Sequence, residues 1–134
     1  LSVPYGDNGG WMYYHLLMMQ QGIPIDLHPE QPNYYNPLHA EDYIEKIPYL
    51  LAAATAEVTT LNFGGSQRVS IEEWCAYIGE LTGLQAQFKT NPKAFGSLCI
   101  DTDKMHELIG STRVDWRDGI RRQIQHLAPE MLPS

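Results

Sequence analysis

Thr59-Thr60-Leu61-Asn62-Phe63-Gly64-Gly65, followed by Val69-Ser70-Ile71-Glu72-Glu73-Trp74-Cys75-Ala76-Tyr77-Ile78-Gly79-Glu80-Leu81-Thr82-Gly83, decides how this chain folds. The first run is β-branched and apolar and ends in two glycines, as a buried strand does when it enters a turn. The second opens on Ser70 with Glu73 three residues later, a capping box in which hydroxyl and carboxylate satisfy orphan backbone donors. Ile71, Trp74, Cys75, Ile78 and Leu81 then recur at helical spacing, and Gly83 supplies the stop. A strand feeding a capped amphipathic helix is the repeating unit of an α/β protein.

The same alternation extends to both sides. Leu1 to Tyr5 reads as a strand closed by the turn-rich Gly6-Asp7-Asn8-Gly9-Gly10. Trp11 to Gln21 reads as a helix with Trp11, Tyr14, Leu17 and Met18 inward and Gly22 as its cap. Ile23 to His28 alternates, and Pro24 confines it to a sheet edge. Pro29 to Pro37 is a loop. Glu41 to Ala54 reads as a helix with Tyr43, Ile44, Ile47, Leu50 and Leu51 inward, kinked or split at Pro48. Gln85 to Lys89 is a further strand. Asp101 opens a short helix ending at Gly110, and Asp115 opens a last one with Trp116, Ile120, Ile124 and Leu127 inward before Pro129. The expectation is an α/β chain of few strands alternating with about five helices, a single domain over 1–134.

Composition narrows the function classes. At 134 residues and 43% hydrophobic content the chain can build a core. Its net charge of −7 argues against nucleic-acid or anionic-membrane partners, which are held by Lys and Arg. No run approaches the ~18 to 20 apolar residues that span a bilayer. The opening LSVPYGDNGG is no signal peptide. It has no initiator Met and starts on an apolar, strand-like stretch, so it reads as cut from something longer, and about four strands between helices would leave sheet uncovered. A cytoplasmic location is expected, with Cys75 and Cys99 as buried free thiols. The five histidines (15, 28, 39, 106 and 126) show no paired metal spacing, so no metal site is expected. Ser70, Ser97 and Ser111 lack a nucleophile-elbow context, which leaves hydrolase chemistry unsupported.

Val3-Pro-Tyr-Gly6, Asn36-Pro-Leu-His-Ala-Glu-Asp42 with Leu51-Ala-Ala-Ala54, Leu61-Asn-Phe-Gly-Gly65 with Val69-Ser-Ile-Glu-Glu73, and Asp101-Thr-Asp-Lys104 with Leu108-Ile-Gly110 occur in an order that points further. Together they resemble the carboxyl-terminal, substrate-side portion of the extended short-chain dehydrogenase/reductases, the NAD-dependent epimerase/dehydratase group. The resemblance implies part of a Rossmann-type fold, with NAD or NADP bound mainly by an N-terminal Rossmann portion that this chain lacks. It implies a small-molecule substrate, sugar-like or otherwise bearing a hydroxyl or carbonyl, and it allows a homodimer. No glycine-rich dinucleotide fingerprint is present. No Tyr has a Lys four residues on, Tyr43 and Lys46 coming nearest, so no catalytic residue is assigned and the chain alone is expected to be inactive.

By the same resemblance Pro4, Tyr5 and Gly6 lie beside the nicotinamide as cofactor-binding residues. Asn8, Gly9, Trp11, Tyr35, Asn36 and His39 are the substrate-binding candidates. Trp11 either walls the substrate pocket or packs in the core. Tyr34 and Tyr35 are loop aromatics able to stack on a flat ligand. His39 with Asp42 looks like an acid/base pair, although in the family this histidine braces the loop and caps the helix. The family's Arg-Asp-Tyr/Phe-Ile-His is replaced here by Tyr35, Asn36, Pro37, Leu38 and His39, and no second substrate Arg stands near Phe95 to Ser97. Two absent guanidiniums remove bidentate phosphate contacts and favour a less charged substrate. The alternatives are a non-catalytic binding or assembly module derived from that lobe, or the terminal reductase domain of a biosynthetic megasynthase.

Overall fold

A computed structural model describes residues 1–55, 57 and 60–133. Five helices carry the body among these residues: α1 Trp11–Gln21, α2 Ala40–Ala53, α3 Ile71–Thr82, α4 Asp103–Ile109 and α5 Trp116–Leu127. The strands are shorter than expected and fall into three separate ribbons. β1 Pro4–Gly6 turns through Asp7 and Asn8 into antiparallel β2 Gly9–Gly10, and its other edge runs parallel to β5 Leu38–His39. β3 Ile25–Leu27 is parallel to β7 Phe88–Thr90. β4 Tyr34–Tyr35, inside the stretch expected to be loop, pairs antiparallel with β6 Val69–Ser70.

The decisive segment folds largely as its sequence dictates. Ser70 Oγ accepts from Glu73 N at 3.0 Å, while its own hydroxyl donates to Glu73 Oε1 at 3.2 Å. The Glu73 carboxylate therefore meets the hydroxyl and not the Ser70 backbone. Ile71, Trp74, Cys75 and Ile78 are buried, and Gly83 ends α3 in the left-handed region at φ 77°. The preceding run differs. Thr59 lies outside the described residues, and residues 60–63 form no ladder. Ser2 N still donates to Phe63 O at 2.7 Å, and Gly65 N to Asn36 O at 3.1 Å. Gly65 is obligatory at this crossing, because a Cβ there would stand 1.7 Å from Pro37 O.

Two expected helix faces are corrected. α1 buries Met12, His15, Leu16 and Met19, leaving Tyr14 exposed and Leu17 and Met18 half-buried. Apolar residues surround this helix on every side, so spacing alone does not fix its orientation. α2 is turned inside out. Its buried residues are Asp42 and Lys46, whereas Tyr43, Ile44, Ile47, Tyr49 and Leu51 are exposed. Asp42 explains the turn: its two carboxylate oxygens accept from Arg113 N at 2.8 Å and Val114 N at 3.0 Å, anchoring the polar side of α2 to the approach to α5.

The main core joins Met12, Leu16, Ile25, Leu27, Trp74, Ile78, Ile120 and Ile124, and a smaller cluster holds Leu38, Phe63, Met105 and Ile109. Cys75 is a buried free thiol as expected, but Cys99 is exposed. No helix among the described residues is long and apolar enough to cross a membrane.

Candidate functional site

β1, the start of α1, β4 and residues 95–98 together line an open cavity of about 620 Å³. Its walls include Pro4, Trp11, Tyr14, Tyr35, Phe95 and Leu98, and no charged side chain lines it. The size falls within the usual range for small-ligand sites. Four of its residues are large apolar side chains open to solvent: Phe95 (78% exposed), Leu1 (71%), Tyr14 (63%) and Leu98 (60%).

Trp11 is set by a run of stacked and tilted rings. His15 stacks on Trp74 at 5.8 Å between centroids, and Trp11 lies 6.1 Å from His15 and 6.5 Å from Trp74. Trp74 Nε1 donates to His15 Nδ1 at 2.8 Å. Burial lowers the His15 pKa to about 4, so the ring is neutral at neutral pH and accepts that hydrogen bond. Tyr35 stands edge-on to Trp11 at 5.1 Å, and Phe95 lies 6.4 Å from it. The same three rings back a second cavity of about 360 Å³, bordered by His15, Asp26 and Lys93.

The stretch carrying Phe95 is tied to β4. The Tyr35 hydroxyl donates to Gly96 O at 2.9 Å and approaches Phe95 O at 3.2 Å. Ser97 Oγ donates to Pro32 O at 2.8 Å and accepts from Tyr34 N at 2.9 Å, while Leu98 N donates to Tyr34 O at 2.9 Å. Burial, and secondarily Glu72, raises the Tyr35 pKa, which keeps the phenol protonated as that donor. Tyr34 turns the other way, its ring 4.3 Å from the Arg68 guanidinium.

The candidates from the sequence divide into two groups. Pro4, Trp11 and Tyr35 come together in the cavity wall, and Gly9 precedes Gly10, which also lines it. Tyr5 and Gly6 are buried, and Asn8 is at the exposed hairpin tip. Gln123 Nε2 donates to the carbonyls of both Gly6 and Gly9 at 2.8 Å, holding the hairpin against α5. The Tyr5 phenol is packed so closely on α5 that a Cβ at Gly119 would stand 2.1 Å from its oxygen. Its pKa is raised, first by burial and then by Asp42.

Asn36 and His39 lie away from the cavity wall. Asn36 Nδ2 donates to Gly65 O and its Oδ1 accepts from Ile100 N at 2.9 Å, a clamp joining three segments. His39 caps α2, its Nδ1 accepting from Glu41 N at 3.1 Å, and its buried Nε2 has no hydrogen-bond partner. Burial, with Arg122, lowers the His39 pKa. Asp42 is held by backbone amides, and no hydrogen bond joins it to His39. Tyr14, Phe95 and Leu98 were not singled out as ligand-facing from the sequence. The available signal was apolar side chains in a stretch punctuated by Pro92 and Gly96, too short and irregular to bury them. Among the described residues no cluster of three metal-ligating side chains exists.

No protein-family model matches the chain, and no curated protein sequence matches it. Solved structures do. MoeE5 in complex with UDP-glucuronic acid and NAD superposes with a TM-score of 0.74 at 19% identity, over 96% of this chain and 46% of that one. UDP-glucuronic acid 4-epimerase from Bacillus cereus, in complex with UDP-glucuronic acid and NAD, gives 0.74 at 16% identity over 96% and 44%. ADP-L-glycero-D-manno-heptose-6-epimerase from Helicobacter pylori gives 0.70 at 16% identity over 93% and 42%. The chain thus shares the mixed α/β fold of the carboxyl-terminal portion of these Rossmann-type structures. It spans less than half the length of these structures.

Proposed function

We propose that this chain is the substrate-side portion of an NAD(P)-dependent epimerase/dehydratase or reductase, working with a nucleotide-binding half that packs on α2. One observation carries this reading: α2 presents Ile44, Ile47 and Leu51 to solvent while burying Asp42 and Lys46. A helix oriented this way is built to be covered. Ile44, Ile47 and Leu51 are 66%, 38% and 72% exposed. At about 2 kcal/mol per fully buried side chain, covering those fractions contributes about 3 to 4 kcal/mol.

The cofactor fits the chain only in part. Pro4, at the exposed end of β1 and in the cavity wall, offers an apolar surface beside which a flat nicotinamide ring can lie. No glycine-rich loop opens a helix in the fingerprint pattern that binds a pyrophosphate, which assigns the rest of the cofactor to the other half. When bound, the cofactor supplies hydride acceptance from a carbinol carbon, or donation to a carbonyl. The role of this chain is to orient the substrate and exclude water, with the proton carried by a base on the other half.

The test titrates NADH into the chain alone and into a longer form that includes the coding sequence preceding Leu1. Saturable fluorescence enhancement is expected only in the longer form, and Ile44→Glu, Ile47→Glu and Leu51→Glu together should abolish it. Tight NADH binding by the 134 residues alone would refute the reading. Sedimentation of the chain alone distinguishes a second copy covering α2, since a tight dimer lost in the same triple variant would assign the face to self-association.

A further inference from the structure

We infer that the 620 Å³ cavity takes an uncharged, largely apolar, ring-bearing alcohol or ketone and not a nucleoside diphosphate sugar. This rests on the reading of the chain as a substrate-side portion and names the substrate class for it. The first observation is the absence of countercharge. None of the residues lining the cavity is Lys, Arg, His, Asp or Glu. A diphosphate brought against such walls would meet no countercharge from this chain's side chains, and buried anions are tolerated only when paired. Arg68, on the far side of β4, is engaged with the Tyr34 ring, and Lys93 borders the other cavity.

Hydrogen-bonding capacity is the second. A sugar presents several hydroxyls that each need a partner, yet two of the hydroxyls lining the cavity, those of Tyr35 and Ser97, are already engaged with the protein. The Tyr35 hydroxyl is spent on the carbonyls of residues 95 and 96, and Ser97 Oγ both donates to Pro32 O and accepts from Tyr34 N. Ser2 Oγ is buried out of reach of solvent, and a Cβ on Gly64 would stand 2.8 Å from the Ser2 Cβ, so Ser2 faces into the protein. Sites that bind hydroxyl-rich ligands are built the other way, with unspent donors and acceptors facing the ligand.

Ring geometry is the third. Trp11 and Tyr35 meet at 87° and Trp11 and Phe95 at 41°, so the three rings form angled walls and not one flat stack. Such walls offer both faces and edges to an inserted ring, and aromatic pairs favour those two arrangements. Phe95, mostly exposed in the unliganded chain, gains most from being covered. The substrate ring packs against the open sides of Trp11 and Phe95, leaving its carbinol or carbonyl carbon toward Pro4.

The experiment uses backbone and indole amide NMR of the chain, with 1-tetralone as an uncharged bicyclic ketone and UDP-glucose as the charged alternative. Saturable shifts are expected at the Trp11 indole and the Phe95 and Gly96 amides with 1-tetralone, and none there with UDP-glucose at tenfold higher concentration. Phe95→Ala should weaken the ketone about tenfold, the loss typical of truncating one aromatic anchor. UDP-glucose shifting the same resonances overturns the inference, as does their indifference to 1-tetralone or an unchanged affinity in Phe95→Ala. Ketone binding without NADH binding by any longer form removes the enzymatic reading and leaves the ligand class. Nucleotide-sugar binding does the reverse.

Discussion

Acidifying the protein should loosen the ring cluster behind the cavity through His15. This imidazole is 8% exposed, its pKa is lowered to about 4 by burial, and its Nδ1 accepts from the Trp74 indole at 2.8 Å. The unfolded chain takes up the proton near pH 6.5, whereas the folded chain resists it down to about 4. Stability from this residue is therefore complete above pH 6.5 and is lost as the pH falls through the interval to about 4. At ~1.4 kcal/mol per pH unit the interval amounts to about 3 kcal/mol, a large share of the 5–15 kcal/mol of a typical domain. His15→Gln isolates the effect, because the amide oxygen can accept from Trp74 and does not titrate. Urea unfolding of both proteins at pH 7.5, 6.5, 5.5 and 4.5 gives the comparison, since carboxylates common to both cancel in the difference. The native protein should lose about 2.5 kcal/mol relative to His15→Gln between the extremes, since pH 4.5 stops short of the folded-state value. Parallel curves, agreeing within about 0.5 kcal/mol at every pH, would refute the reasoning.

Gly65→Ala forces a Cβ to within 1.7 Å of Pro37 O and should cost at least about 3 kcal/mol or prevent folding, whereas an unchanged thermal midpoint by circular dichroism would contradict the crossing described. Asp42→Ala strands the amides of Arg113 and Val114 and should cost about 2 to 4 kcal/mol in urea melts. Asp42→Asn, retaining one acceptor, should fall between Asp42→Ala and the native protein, and equal losses for the two variants would count against the two-amide clamp.

The sequence made legible the elements whose signals are local. The Ser70 cap, the buried stripe of α3, and the glycines ending α1 and α3 depend on residues within four positions of one another, and all appear as read. Orientation was legible only where polarity is one-sided. α2 shows the reason for failure: Tyr43, Ile44, Ile47 and Leu51 form a clear apolar stripe, and a sequence does not reveal whether its cover lies within the same chain. Strand length failed for a related cause. Residues 60–63 have strand composition, but a ladder also requires a neighbour, and among the described residues only Ser2 supplies a backbone bond. For the cavity, Pro4 was in view through the family resemblance, Trp11 as a possible pocket wall, and Tyr35 as an aromatic of a Pro/Asn loop. Phe95 was missed because its place depends on a hydrogen bond from Tyr35, sixty residues away.

Gln123 ties the turn between β1 and β2 to α5 through the carbonyls of Gly6 and Gly9. Contacts of such long sequence separation form late, after loop closure has been achieved by other means. During synthesis the hairpin beside the cavity thus stays unbraced until residue 123 has emerged, 117 residues after Gly6. The cavity's rim is consequently one of the final parts to set, and a chain stalled before α5 would leave the ribosome with its aromatic wall begun and its entrance unformed.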